Sequence, residues 1–218
     1  MVLSLDQPQL SGIKTYGKES KPYGLTYGEW TVKWWKWVLL TPTPINPLKD
    51  ESGEHWKVAQ PSSNVYFLAG CVPEIDKGSR LNKKTFPHRR IKMQHGRSIL
   101  FPVLNCEANS LEYPKLTNHE ALLEHVDKDI NSIRKRDAFI NGKRLEPVRV
   151  QSDPLFFKST MAQDNIFRVE NPNATDIIAD GYWIFLKPLP CGSYTIQMQG
   201  SCEFGKLKSG AEYELEIV

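Results

Sequence analysis

Between Lys77 and Arg97 the chain places eight lysines and arginines and two histidines with no acidic residue among them. Arginine presents a planar fork of donors that grips phosphate or carboxylate through paired hydrogen bonds, and lysine adds a point charge on a flexible stem. The stretch therefore reads as an anion-contacting loop, with Arg89 and Arg90 gripping and Lys83, Lys84, Lys92 and Arg97 attracting from further away. His88 and His95 are placed to tune such a site near neutral pH. The partners this chemistry fits are a small anionic ligand, an acidic protein or a nucleic acid. Phe86 is the one ring inside the segment on which a base could stack.

Other reactive residue types are poorly spaced. His88 and His95 are seven apart, His119 and His125 six apart, and His55 stands alone. None forms H-E-x-x-H, and on one helix His119 and His125 would be separated by about 600° of rotation, which puts them on different faces. No metal site and no cofactor are expected. Glu120 with Glu124 and Asp127 with Asp129 are the available carboxylate pairs. Acid–base catalysis needs their pKa values pushed apart by burial or neighbours, whereas a charged helix leaves them in water. There is no G-x-S-x-G elbow, no glycine-rich phosphate loop and no cysteine in a nucleophile motif, although a spatial Cys–His pair stays open.

The elements that position these residues begin with a tryptophan-dense segment. Thr26 and Glu29 have capping-box spacing, Leu25 and Trp30 that of a hydrophobic staple, and Pro42 closes the segment, so a helix is expected over about 26–40. Trp30, Trp34 and Trp37 fall on one face while Lys33 and Lys36 take the other. Large aromatics at that density are expected to anchor the helix on a sheet, with Trp35, off the centre of the stripe, as the candidate for exposure. A second helix is expected over about 117–136, with Thr117 and Glu120 as capping box and Arg134–Arg136 at its negative end. Strands are expected at 64–69 and 98–104, the latter with Pro102 marking an edge, a bulge or its end. From Phe139 onward the apolar residues alternate, with Asn141-Gly142 as a tight hairpin turn and Asp180-Gly181 as another. Further strands are expected at 147–150, 155–157, 166–169, 182–186, 193–199 and 212–217, the last with glutamates on its wet face.

The 218 residues carry a formal net charge of +3, with 40% hydrophobic and 24% charged residues, ordinary globular usage that gives little overall pull toward nucleic acid or membranes. No window is long and apolar enough to span a bilayer, the N-terminus lacks the pattern of a signal peptide, and a cytoplasmic location is expected. Cys71, Cys106, Cys191 and Cys202 include no C-x-x-C pair. Cys71 and Cys106 each follow a strand and can meet at one end of a sheet in an oxidising environment.

Several segments together resemble a family of functionally uncharacterised microbial β-rich proteins: Y-G-E-W-T-V-K-W-W-K-W at 27–37, N-P at 46–47, V-Y-F-L-A-G at 65–70, G-R-S-I-L-F-P-V-L-N at 96–105 and D-G-Y-W-I-F-L-K-P-L-P-C-G-S-Y-T-I at 180–196. The resemblance implies a shared β-rich fold and transfers no catalytic residue. Where the family has a short approach containing cysteine, proline and glycine, this chain has F-P-H-R-R-I-K-M-Q-H at 86–95.

The chain thus reads as one domain over 1–218, mainly β, an antiparallel two-sheet sandwich, jelly-roll-like or Ig-like, with two packed helices. The leading functional expectation is a non-enzymatic binding or structural module with a basic anion-contacting loop, acting as a possible homo-oligomer and without membrane insertion. The alternative is an enzyme whose pocket joins Trp35 and Asn105 between the first helix, the strand ends at 69–71 and 104–106, and the basic loop 83–97.

Overall fold

The computed structural model describes residues 12–55, 57–60, 64–72, 86–204 and 207–218; Lys83 and Lys84 lie outside them. The first helix, α1 (Tyr27–Leu40), starts as its sequence dictates. Thr26 Oγ1 accepts from the Glu29 amide at 3.1 Å and the Glu29 carboxylate accepts from the Thr26 amide at 2.6 Å, so two otherwise orphaned donors are satisfied. At the other end Asn46 Nδ2 donates to the carbonyls of Val38 and Thr41, both at 2.8 Å, and turns the chain into the loop that follows.

Among the described residues nine strands follow: β1 (Val65–Phe67), β2 (His88–Met93), β3 (Ser98–Asn109), β4 (Ile133–Ile140), β5 (Lys143–Leu145), β6 (Val148–Ser159), β7 (Thr175–Leu186), β8 (Gly192–Cys202) and β9 (Lys208–Ile217). They form two sheets, β1-β3-β7-β6 and β2-β9-β8-β4-β5, packed as a sandwich. The pairing is antiparallel except at two edges, where β1 runs parallel to β3 and β2 parallel to β9. Ile99, Phe101, Val103 and Ile184 of the first sheet meet Ile196, Tyr213 and Leu215 of the second between the layers. The outer face of the first sheet carries α1, with Trp30, Trp34, Trp35 and Trp37 packed on Phe67, Trp183 and Phe185. Gly28 permits this approach, since a Cβ there would stand 2.6 Å from that of Asp153 on β6.

The second helix is shorter than its sequence suggests. It spans His119–Asn131, α2, capped by Asn118, whose side chain accepts from the Ala121 amide at 2.8 Å; Thr117 stands outside it. Arg134, Lys135 and Arg136 belong to β4, drawn into the sheet by pairing with β8 from Cys202 to Gly200. Leu122, Val126 and Ile130 pack α2 on Ala108 and Ile178. Three further expectations change. Residues 88–93 of the basic stretch form a strand; Ile166–Val169 is not in a strand; Asp180-Gly181 lies within β7. Pro102 does mark a bulge, at a register shift between Pro102 and Leu104. The four cysteines are free thiols, so Cys71 and Cys106 do not pair. Among the described residues no helix is long and apolar enough to cross a membrane.

Candidate functional site

Four tryptophans on one helix carry four indole N–H groups that need acceptors. Trp30 donates to the Pro22 carbonyl at 2.8 Å, Trp34 to Leu68 at 2.9 Å and Trp37 to Val58 at 2.9 Å. Trp35, expected at the surface, is instead 4% exposed, and its Nε1 has no partner. It forms part of the wall of a cavity of about 300 Å³ between α1, β3, the chain that leads from β3 to α2, the last turn of α2 at Asp129 and the loop residues Leu48, Lys49, Ile166 and Phe167. Asn105 Nδ2 and Glu112 Oε2 line the same cavity and are likewise buried without a partner. A buried, unpaired polar atom costs about 1 to 3 kcal/mol. Three of them, from separate parts of the chain, face one hollow.

Asn109 builds the floor. Completely buried at the end of β3, it accepts from the amides of Leu111 and Glu112, both at 3.0 Å, and so folds the chain back on the strand it has just left. Its Nδ2 donates to the Glu107 carboxylate at 3.1 and 3.3 Å. The reversal brings Glu112 against Glu107, within reach of a hydrogen bond between their carboxyl groups. Two carboxyl groups make such a bond only when one keeps a proton to donate. Burial pushes Glu107 well above the usual carboxylate range, the charge of Glu112 and the shared bond push it further, and Asn109 opposes them. Glu112 is raised too, first by burial and further by Asp129, against its bonds to Glu107 and Tyr113. Tyr113 is held as a neutral phenol by burial beside these carboxylates.

Asn105 sits where it does because Gly181 faces it across the β3–β7 ladder; a Cβ at 181 would lie 2.4 Å from that of Asn105. Leu48 and Phe167 supply apolar wall. Cys106 also lines the cavity, but burial first and then Asp129 raise its thiol well above the normal range, and it donates weakly to the Val126 carbonyl at 3.8 Å. That is an inert thiol, not a nucleophile. Among the described residues no group of three or more His, Cys, Asp or Glu is arranged to hold a metal ion.

Trp35 and Asn105 line one cavity, and no residue of 88–97 lines it. Arg89 is the clearest correction. It is 2% exposed, and its terminal nitrogens donate to the carbonyls of Ala69 at 2.7 Å and Pro47 at 3.0 Å, to the Asp50 carbonyl and to Tyr213 Oη. Those acceptors turn it into a clamp behind the cavity wall. The neighbouring side chains face solvent opposite the glutamates of β9, since parallel pairing sets His88 beside Glu212, Arg90 beside Glu214 and Lys92 beside Glu216. Arg90 Nε meets Glu214 at 2.7 Å, Lys92 meets Glu216 at 2.8 Å, and His88 lies 3.0 Å from Glu214. Arg97 stacks on the Tyr66 ring at 4.8 Å, and His95 is exposed. A wider, more open hollow of about 880 Å³ lies over this charge ladder. Its cations already face carboxylates, and none of the unpaired buried atoms lines it.

Sequence spacing did not single out Glu107 or Glu112. Of the carboxylates it did, Glu124 pairs with Lys128 at 2.7 Å and Asp127 with Arg149 at 3.0 Å, while Asp129 is buried on the cavity wall. The one available signal was an acid continuing the apolar run of β3 at Glu107. No family model matches the chain, and neither a curated protein nor a solved structure matches it.

The proton that burial holds on Glu107 has a thermodynamic signature. In the unfolded chain Glu107 ionises near its ordinary value, whereas in the fold burial holds the proton to higher pH. Below the unfolded value both states are protonated and nothing is lost. As pH rises through the interval between the two values only the unfolded state ionises, so stability falls until the folded group ionises as well. Glu107→Gln removes this loss. Chemical denaturation between about pH 4 and about pH 8 should show the wild type losing stability relative to the variant as pH rises; parallel curves would mean that Glu107 is not held protonated.

Proposed function

We propose that the protein binds a small polar organic molecule in the cavity beneath Trp35, and that the Glu107–Glu112 pair forms hydrogen bonds to it and can exchange a proton with it. The observation that carries this reading is the convergence of Trp35 Nε1, Asn105 Nδ2 and Glu112 Oε2, all buried and unpartnered, on one hollow. Its size is at the small end of ligand pockets, and its lining of apolar and aromatic surface with a few polar groups is typical of them. This keeps the binding module expected from sequence but moves its site from the basic stretch to an acidic cavity. An enzyme acting through the same carboxyl pair is the closest variant of the reading, because one protonated and one ionised carboxyl supply an acid and a base. The exposed cations of β2 favour a polyanion less, since each of His88, Arg90 and Lys92 stands against a glutamate.

The test is a screen of small polar compounds by NMR, following the indole N–H signals of the six tryptophans, with that of Trp35 assigned through Trp35→Phe. Ligands should shift the Trp35 signal first, and Asn105→Ala should weaken them at least tenfold. Compounds that bind while leaving Trp35 unmoved would refute the assignment.

A further inference from the structure

We infer that the ligand of this cavity is an organic ammonium ion carrying an oxygen acceptor, its N–H groups donating to Glu112 and Glu107 and its oxygen accepting from Trp35 and Asn105. The inference rests on the cavity being the binding site and adds the charge and donor pattern of what enters it.

The polar groups around the carboxyl pair set that pattern. From α2 comes Asp129, 8% exposed, with His125 of the same helix 4.0 Å away from its carboxylate. Tyr113 follows Glu112 and packs against the His125 ring, tilted by 49° with centroids 4.3 Å apart. β3 contributes Cys106 and Asn109, and Lys49 lines the cavity from the loop after α1. Among the described residues, the charged group that bears on the pair from outside it is Asp129, another acid. Three carboxyl groups line the cavity, and among the described residues no cation bears on the Glu107–Glu112 pair, so a cationic ligand completes the site, with the unpartnered Glu112 Oε2 as its acceptor. Trp35, Tyr113 and Phe167 add aromatic surface, which favours an organic cation over a hydrated inorganic one. Trp35 Nε1 and Asn105 Nδ2 donate and accept nothing in return, so the same ligand must offer an oxygen.

Binding then displaces the proton the pair shares. A carboxyl and a carboxylate bonded to each other, plus one ammonium ion, become two carboxylates bonded to that ammonium plus one proton released to solvent. Charge and atoms balance, and affinity must rise with pH while the ligand amine stays protonated.

Three probes of closely similar shape separate the possibilities: phenylethanolamine, phenylethanediol, in which a hydroxyl replaces the ammonium, and mandelate, in which a carboxylate replaces the aminomethyl group. Titration calorimetry of the full chain, in buffers of different ionisation enthalpy, should show phenylethanolamine binding at least tenfold more tightly than the diol, with proton release and with affinity rising with pH. Mandelate should not compete. Glu112→Gln should erase the preference for the amine and the proton release while leaving the diol bound, and circular dichroism reports whether the variant is folded. His125→Gln should keep the pH dependence, which would otherwise belong to that imidazole. If the diol binds at Trp35 as well as the amine does, or amine affinity does not change with pH, the ammonium inference falls and the cavity remains a ligand site. If none of the probes binds, the ammonium inference falls, and the indole-signal screen decides the cavity independently.

Discussion

Replacing Arg89 by methionine should cost on the order of 3 to 5 kcal/mol of folding stability, a drop of roughly 10 °C in Tm for a chain of this size. Methionine has similar length, so the loss would come from the acceptors left behind: the carbonyls of Pro47, Asp50 and Ala69 and the Tyr213 hydroxyl, all inside the fold. Arg90→Ala, one residue away, should change stability by less than about 1 kcal/mol, because that side chain is 79% exposed and its partner Glu214 is nearly half exposed. Thermal or urea unfolding of the two variants reads the difference directly. Equal effects would mean that the buried clamp is not what holds the loop at 47–53 to the sandwich.

Trp34→Ala should cost a similar amount, about 3 to 5 kcal/mol, since it empties a position with 0% exposure at the centre of the aromatic layer. The indole meets Trp35 at 5.2 Å, Trp183 at 5.3 Å and Trp37 at 6.0 Å, all edge to face, so its loss also releases the ring that walls the cavity. Trp34→Phe isolates the hydrogen bond, because it keeps much of the packing and abandons the Leu68 carbonyl. Trp35→Phe is the contrast: its N–H has no protein partner to lose, so stability should move by less than about 1.5 kcal/mol. Urea unfolding that ranked Trp35 above Trp34 would reverse the roles assigned to them.

The contrast also explains what was legible in the sequence. The first helix could be read because its signals are local: Thr26, Glu29 and the tryptophan stripe act within a few residues of one another. The second helix was over-extended because Arg134, Lys135 and Arg136 suit a helix end equally well, and only the distant partner β8 claims them for a sheet. Arg89 looked like its neighbours in composition. Strand alternation turns it inward while Arg90 turns out, and a run of like charges hides that alternation. The partners of β2 lie more than 120 residues away, so the glutamates of β9 could be noticed as a wet face but not as its counter-charges. Glu107 and Glu112 were missed for a related reason. Their meeting depends on Asn109 reversing the chain, and nothing in their spacing of five residues distinguishes that turn from many others.

Asn46, spanning two carbonyls at the end of α1, and Arg89, spanning the carbonyls of the loop beyond, fasten the same stretch from opposite ends. Leu48 and Lys49 lie between these two fasteners and form part of the cavity lining. That side of the chamber is therefore cast before anything enters it, more mould than glove. Discrimination among guests falls to contour and to the placing of a few atoms, with little room for the host to adjust.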